Sequence, residues 1–332
     1  MNPHKIFQTK FCGLVGIRYP VCQAGMGFVA TSRLAGAVSA AGGLGVIGAG
    51  TMTAAELRDE IRTLRDFTDK PFGVDILFAQ IVAEETDQVV RYTDEVKRQI
   101  EVVLEERAPV LVSGLGNPAA TVPDAHSQGI VVMSLVGNVK QARRLAAAGV
   151  DVIIARGHEA GGHTGRVGTM ALLPQVVDAV EAPVLAAGGI ADGRGLIAAL
   201  ALGASGIWMG TRFVATAEAL AHDNYKNRIV ETDEEGTVIT RCHSGKPCRL
   251  IRNRFTESWV GRESEILPFP LQMIRVGRGA AMKARYDGKV EEGGLAAGQV
   301  SGMIRVVKPA GEVVREIMAE AAAVLEHGLY DR

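Results

Sequence analysis

The stretch PVLAAGGIADGRGLIAALALGASGIWMGTRF, residues 183–213, contains one full unit of a repeating architecture. An apolar run at 183–187 meets a Gly pair, an amphipathic segment of helix length spans 192–202, and a second apolar run fills 206–209. Neither run alternates polar with apolar residues, the pattern of parallel strands covered on both faces. The same beat recurs toward the N-terminus. Strand-like runs lie at 20–24, 44–48, 72–76, 109–113, 130–134 and 150–154, and helix-length segments follow them at 31–41, 53–67, 85–106, 118–127, 138–148 and 170–180. Eight βα units in succession predict a (β/α)₈ barrel of the α/β class, in preference to an open doubly wound sheet.

The beat stops after the eighth strand. Residues 222–304 are more polar and carry the turn clusters DEEG, GKP and EEGG, so they read as a cap inserted behind a barrel domain at 1–221. The segment 305–332 includes PAGEVVREIMAEAAAVLEH (309–327), whose leading Pro and apolar spacing predict a helix returning to the barrel. Of 332 residues 47% are hydrophobic and 40 are Gly, which supports a sizeable core with many tight turns. With 36 Lys and Arg against 37 Asp and Glu there is no basic stripe for a nucleic acid. No apolar stretch reaches the roughly 18 residues of a membrane span, and MNPHKIFQTKF at the N-terminus lacks an apolar signal region. A cytoplasmic protein without nucleic-acid or membrane partner is expected. Cys12, Cys22, Cys242 and Cys248 form no C-x-x-C pair and read as reduced, isolated thiols. Cys242, His243 and Cys248 match no zinc spacing, and no metal is expected.

Active sites of such barrels lie at the C-terminal ends of the strands, so the residues just after each run carry the chemistry. After the seventh strand comes GGIADGRG (188–195), and after the eighth GTRF (210–213). Gly188, Gly189, Gly210 and Thr211 there would let backbone N–H groups, helped by helix N-termini, approach a phosphate. After the sixth strand RGHEAGGHTG (156–165) packs two His, a Glu and four Gly into ten residues. His163, flanked by Gly162 and Thr164, is the candidate for proton transfer or ligand binding, because imidazole titrates near neutrality. His158 and Glu159 fit a role in orienting that loop. QAGMGF (23–28) would run its backbone along a flat ligand through Gly25, Met26 and Gly27, and Asp75 in the third strand could accept from a ligand N–H or act as a capping carboxylate. There is no P-loop, H-E-x-x-H, G-x-S-x-G or Schiff-base Lys, and GGLGVIGAG (42–50) lacks the setting of a dinucleotide fingerprint.

QAGMG, AAGGLGVIGAG, PFGVDI, GVDVIIARGHEAGGHTG, the opening 183–213 stretch and GQVSG (298–302) together make the chain similar to the nitronate monooxygenase family, formerly called 2-nitropropane dioxygenases. The likeness covers nearly the whole chain. It implies an FMN-dependent (β/α)₈ barrel with a small cap. The flavin phosphate would lie on Gly188, Gly189, Gly210 and Thr211, and the ring on Ala24, Gly25 and Met26 with Gln23 nearby. Asp75, Glu159 and Gly162 join the cofactor-facing set, and His163 matches the family's catalytic His. The family usually reads PFGVN where this chain has Asp75, a carboxylate in place of an amide.

The resemblance implies oxidation of alkyl nitronates or nitroalkanes with O₂ as the first activity. Related FMN enzymes suggest NAD(P)H-dependent reduction of quinones or of enoyl-acyl-carrier-protein or enoyl-CoA substrates as the alternative. The partners implied are a small-molecule substrate and O₂, and a homodimer is compatible with the sequence. Arg241, Lys246, Arg249, Arg252 and Arg254 could grip phosphates of NADPH or a pantetheine-linked substrate, or form a solvated face pairing with the acidic run 233–235. A barrel that binds phosphate without redox chemistry is the reading from outside the oxidoreductases.

Overall fold

A computed structural model describes residues 6–78 and 87–327, so residues 85–86 of the expected helix 85–106, and both chain ends, lie outside the described residues. Eight parallel strands form the sheet: β1 Val21–Gln23, β2 Gly45–Gly48, β3 Phe72–Phe78, β4 Val110–Gly116, β5 Val131–Val136, β6 Val152–Arg156, β8 Val184–Ala187 and β9 Gly206–Met209. β7 Gly162–His163 belongs elsewhere. The sheet runs β1-β9-β8-β6-β5-β4-β3-β2, and its two ends meet: the N–H of Leu44 donates to the Val21 carbonyl and that of Gln23 to the Leu44 carbonyl, each 2.9 Å. The barrel is thus nearly closed, with helices between its strands.

The apolar runs split by alternation. Cys22, Val110, Val112, Met133, Val152, Ile154, Leu185 and Trp208 point into the barrel, while Val21, Leu111, Val132, Ile153, Ala186 and Ile207 pack against the helices. Both faces are dry, so the runs are apolar without a period of two in polarity. A short helix, Lys10–Val15, which the sequence did not mark, closes the N-terminal end of the barrel. Its Phe11, Cys12 and Val15 join the interior cluster, and Thr9 accepts from the Cys12 N–H and donates to the Ser205 carbonyl.

The helix Ala310–His327 packs on the helices Gly193–Ala201 and Ser32–Ala40, which fills the eighth helical position of the ring. The contact is close: a Cβ on Gly193 would stand 2.4 Å from the Ala321 nitrogen. Between β9 and this helix, residues 222–304 do have regular structure. A helix at Asp223–Glu231 precedes the hairpin β10 Thr237–Thr240 and β11 Cys248–Ile251, and a helix at Arg278–Arg285 follows a π-helical turn at Met273–Gly277. β11 pairs antiparallel with β7, placing Cys248 opposite His163 and Arg249 opposite Gly162. The loop after the sixth barrel strand is therefore the third strand of this outer sheet.

Candidate active site

A cavity of about 750 Å³ opens at the C-terminal ends of the barrel strands. Of the residues singled out from the sequence, Ala24, Gly25, Met26, Asp75, Glu159, Gly162, His163, Gly188, Gly189, Gly210 and Thr211 all line it. Gln23 does not. Its amide accepts from the Val46 N–H (3.0 Å) and donates to the Val46 carbonyl (3.1 Å) and to that of Ala24. It thereby supplies cross-strand bonds between β1 and β2, where the barrel closes, and that buried wall position corrects the expectation that it faces a cofactor.

The two loops expected to bind phosphate meet at one corner. Gly188 and Gly189 have φ of +93° and +75°, which only Gly adopts without strain, and both line the cavity. The helix start at 193 contributes less than expected. Its Gly193 N–H donates to Glu320 (2.9 Å) and its Gly195 N–H to Asp192 (3.0 Å), so protein carboxylates already serve that end. Thr211 accepts from the Gly298 N–H at 2.9 Å, tying GQVSG to the same corner.

Glu159 lines the cavity, yet its carboxylate accepts from the N–H and hydroxyl of Thr169 at 3.0 Å. It caps the helix Thr169–Val177 from a distance and fixes the 157–163 loop, the orienting role, instead of reaching toward a cofactor. His158 bonds locally, with Nδ1 3.1 Å from the Gly165 carbonyl. Its own carbonyl accepts from Arg249 Nε (3.2 Å) and Nη2 (3.0 Å), and Arg249 Nη1 donates to Thr237. Arg249 is a buried clamp between loop and outer sheet. Arg241 donates to the Gly245 carbonyl, and Lys246 stands 4.3 Å over the Phe269 ring. None of the five basic residues of 241–254 lines the cavity, and among the described residues none pairs with the acidic run 233–235. Arg241, Arg252 and Arg254 are exposed, so the cluster is in part a solvated face, without the expected pairing. The cavity's cations are Arg156, Arg278 and Arg285.

His163 sits in the cavity wall with Nε2 2.7 Å from Ser244 Oγ. Burial, followed by the charges of Arg156, His243 and Lys246, pulls its pKa down to about 3. The ring is neutral at physiological pH. Ser244 Oγ accepts from the Lys246 N–H (3.3 Å), and its own proton can go to His163 at 2.7 Å or to the Lys246 carbonyl at 3.4 Å. Nε2 is thus engaged by Ser244, which leaves Nδ1 as the ring nitrogen for a ligand. His243, a second imidazole in the lining, is held to a pKa of about 4 by burial and Arg285, and its Nδ1 has no partner.

The mouth is built by contacts between the first loop and the outer segment. Phe28 adopts φ +68°, its N–H donates to Thr51 (3.2 Å), and its ring meets Tyr286 edge-on at 5.7 Å. Arg285 donates to the Gly27 carbonyl at 2.8 Å and lies 5.6 Å over the Phe28 ring. A non-Gly residue in the left-handed region at a cavity rim marks strain held by its surroundings. Ser244 and Arg285 escaped the sequence reading, His243 entered it only as a rejected metal ligand, and Arg156 and Phe28 lay unassigned in the quoted loops. Arg156 had a visible signal, a charged residue at the active end of a buried strand. Ser244 had none, lying 81 residues from its partner His163.

Four Cys are buried and free, Cys242 and Cys248 beside Leu250 in a small apolar cluster. Among the described residues no three His, Cys, Asp or Glu converge as metal ligands, and no helix is long and apolar enough to cross a membrane.

Residues 8–320 match the family model described as nitronate monooxygenase. A Mycobacterium tuberculosis protein named (3aS,4S,5R,7aS)-5-hydroxy-7a-methyl-1-oxo-octahydro-1H-indene-4-carboxyl-CoA dehydrogenase is 34% identical, over 96% of this chain and 97% of its own. A probable nitronate monooxygenase of Staphylococcus saprophyticus is 36% identical over 80% of this chain and 84% of its own. FabK from Thermotoga maritima superposes with a TM-score of 0.86 at 38% identity, covering 96% and 97% of the two chains. A nitroalkane oxidase from Streptomyces ansochromogenes does so at 0.84 and 32%, covering 95% and 99%. With the barrel, the strand-end cavity and the His163 loop in place, the chain is an oxidoreductase belonging to the nitronate monooxygenase family.

Proposed function

We propose that this protein is an FMN-dependent nitronate monooxygenase, binding alkyl nitronates against His163 and oxidising them with O₂. The observation that carries the reading is a neutral imidazole, anchored by Ser244 at 2.7 Å, in a cavity that the positive-φ Gly188–Gly189 turn also lines. The lining fits a flavin. Gly188, Gly189, Gly210 and Thr211 would hold its phosphate, Ala24, Gly25 and Met26 would support its ring, and the buried Oδ1 of Asp75, which has no partner, awaits a ligand donor. When bound, the flavin would supply the electron acceptor for substrate and the electron donor for O₂.

His163 with a pKa near 3 is a poor base toward a neutral nitroalkane. Its Nδ1–H is suited to donate to an anionic nitronate oxygen, and that anion would in turn favour the protonated ring. Nitronates are therefore the better substrates in this reading, and the parent nitroalkanes the poorer. Residues 222–304 act as a cap: Arg285 and Phe28 lock it to the first barrel loop, and it decides what reaches the ring.

A second reading, redox chemistry on an acyl thioester, is favoured by the apolar mouth. Phe28, Met52, Leu77, Val96, Met273 and Ile274 line it, with Arg278 among them. That surface is more than a small nitronate uses and would suit an apolar acyl group next to a phosphate-bearing carrier. The relative named as a CoA dehydrogenase covers 96% of this chain and supports this.

The test is anaerobic. The visible spectrum of the FMN-loaded protein is recorded, and NADPH, NADH or propionate 3-nitronate is added to separate portions. Bleaching by the nitronate with no response to nicotinamide is the expected outcome. Bleaching by nicotinamide alone replaces the proposal with a reductase.

A further inference from the structure

Two buried polar atoms in the cavity floor have no partner and differ in kind. Asp75 is 5% exposed and its Oδ1 accepts no hydrogen bond, while Arg156 Nε donates none. Both residues line the same cavity, Asp75 from the middle of β3 and Arg156 from the end of β6, with β4 and β5 between those strands. The chain presses on Asp75 from two sides. A Cβ on Gly25 would stand 2.2 Å from the Asp75 Cβ, and one on Gly114 would stand 2.4 Å from Oδ1, so neighbouring glycines leave this carboxylate just enough room. Burial pushes its pKa well up, with the Gly114 N–H and Arg156 pulling the other way, and Arg156 is itself pulled down by burial. Burial disfavours each charge, and each charge favours the other. An orphaned buried polar atom is costly, so a ligand that satisfies both atoms gains on each.

The complement of an acceptor beside a donor is a ring edge carrying an N–H next to a carbonyl. The pyrimidine side of a flavin is such an edge, an imide N–H between two carbonyls. An Asn amide can serve it with one side chain, accepting through oxygen and donating through nitrogen. This chain has Asp75 at the position, which can accept but, ionised, cannot donate. Resting on the flavin reading above, we propose that the task is divided here: Asp75 accepts from the imide N–H, Arg156 donates to an adjoining carbonyl, and the pair is a charge-balanced seat for the ring. Arg156 is then a cofactor-binding residue that also sets the electrostatics under the ring, because a fixed cation near the ring carbonyls favours added electrons.

The experiment measures FMN affinity by fluorescence quenching and the flavin midpoint potential by dye equilibration. Wild type, Asp75→Asn, Arg156→Met, Arg156→Lys and the double variant Asp75→Asn with Arg156→Met are compared. Arg156→Met should weaken FMN more than tenfold and shift the potential negative, because it loses the donor and leaves Asp75 unbalanced. Arg156→Lys should keep the potential near wild type while losing part of the affinity. Asp75→Asn should keep FMN and shift the potential positive. The double variant should bind FMN better than Arg156→Met alone, a rescue that a general folding defect would not produce. FMN methylated at the imide nitrogen should bind wild type more than tenfold more weakly than FMN. Unchanged affinity and potential in Arg156→Met, or a double variant worse than the sum of its parts, overturns the pair while leaving the flavin reading intact. A wild-type protein that takes up no FMN overturns both.

Discussion

The two ends of the barrel are built on opposite terms. At the N-terminal end the helix Lys10–Val15 inserts Phe11, Cys12 and Val15 among the inward side chains of the strands, and Thr9 satisfies both the helix start and the Ser205 carbonyl. At the C-terminal end, Asp75 Oδ1, Arg156 Nε, His243 Nδ1 and Arg285 Nε are all buried without a partner. One end spends its residues on stability, and the other holds polar groups whose partners a ligand must bring.

The largest effect tests the stable end. Phe11→Ala should destabilise the fold by about 3–5 kcal/mol, read from denaturant unfolding, while FMN affinity in the folded protein stays unchanged. A parallel loss of affinity would mean that the two ends are coupled. Next, Gly189→Val forces a β-branched residue into φ +75° and fills the phosphate corner, so the visible absorbance that accompanies the purified protein should fall by more than about tenfold relative to protein absorbance. Full flavin occupancy would remove the phosphate from that corner.

His163→Ala should retain flavin and lower turnover of a nitronate by more than about tenfold. Unchanged turnover would take His163 out of the reaction. Acid sharpens the same contrast. Two lining histidines have folded pKa values of about 3 and about 4, against roughly 6.5 in an unfolded chain. Below 6.5 the unfolded state binds more protons, so the stability they contribute is complete above that pH and is lost progressively down to 4 and 3. Thermal melts from pH 7 to pH 4 should show a falling Tm, and His243→Phe should flatten part of that fall. The smallest effect is that of Ser244→Ala, a several-fold drop in turnover with flavin retained, together with a shift of the His163 imidazole signals in NMR as the tautomer is released. A shift without a drop would make Ser244 structural only.

Much of this could be read from the chain. The eight strands fall where continuous apolar runs ended in Gly-rich loops, because a parallel strand buried on both faces leaves that mark in composition alone. RGHEAGGHTG and the Gly188–Gly189 pair stood out because chemistry and positive φ each demand particular residue types. Gln23 misled for the same reason: a polar residue at a strand end has the same spelling whether it faces a ligand or, like Gln23, closes the barrel against Val46. The basic run 241–254 looked like an anion site, yet Arg249 turned inward to hold the His158 carbonyl.

Local pattern and residue type were enough to place the eight barrel strands and the Gly-rich loops, His163 among them, that line the strand-end cavity. It took the packed molecule to show that His163 is neutral, that Ser244 holds its ring, that β7 joins the outer sheet and that Asp75 lines the same cavity as Arg156. Each of these depends on burial and on contacts between residues distant in the chain, and neither quantity has a local spelling.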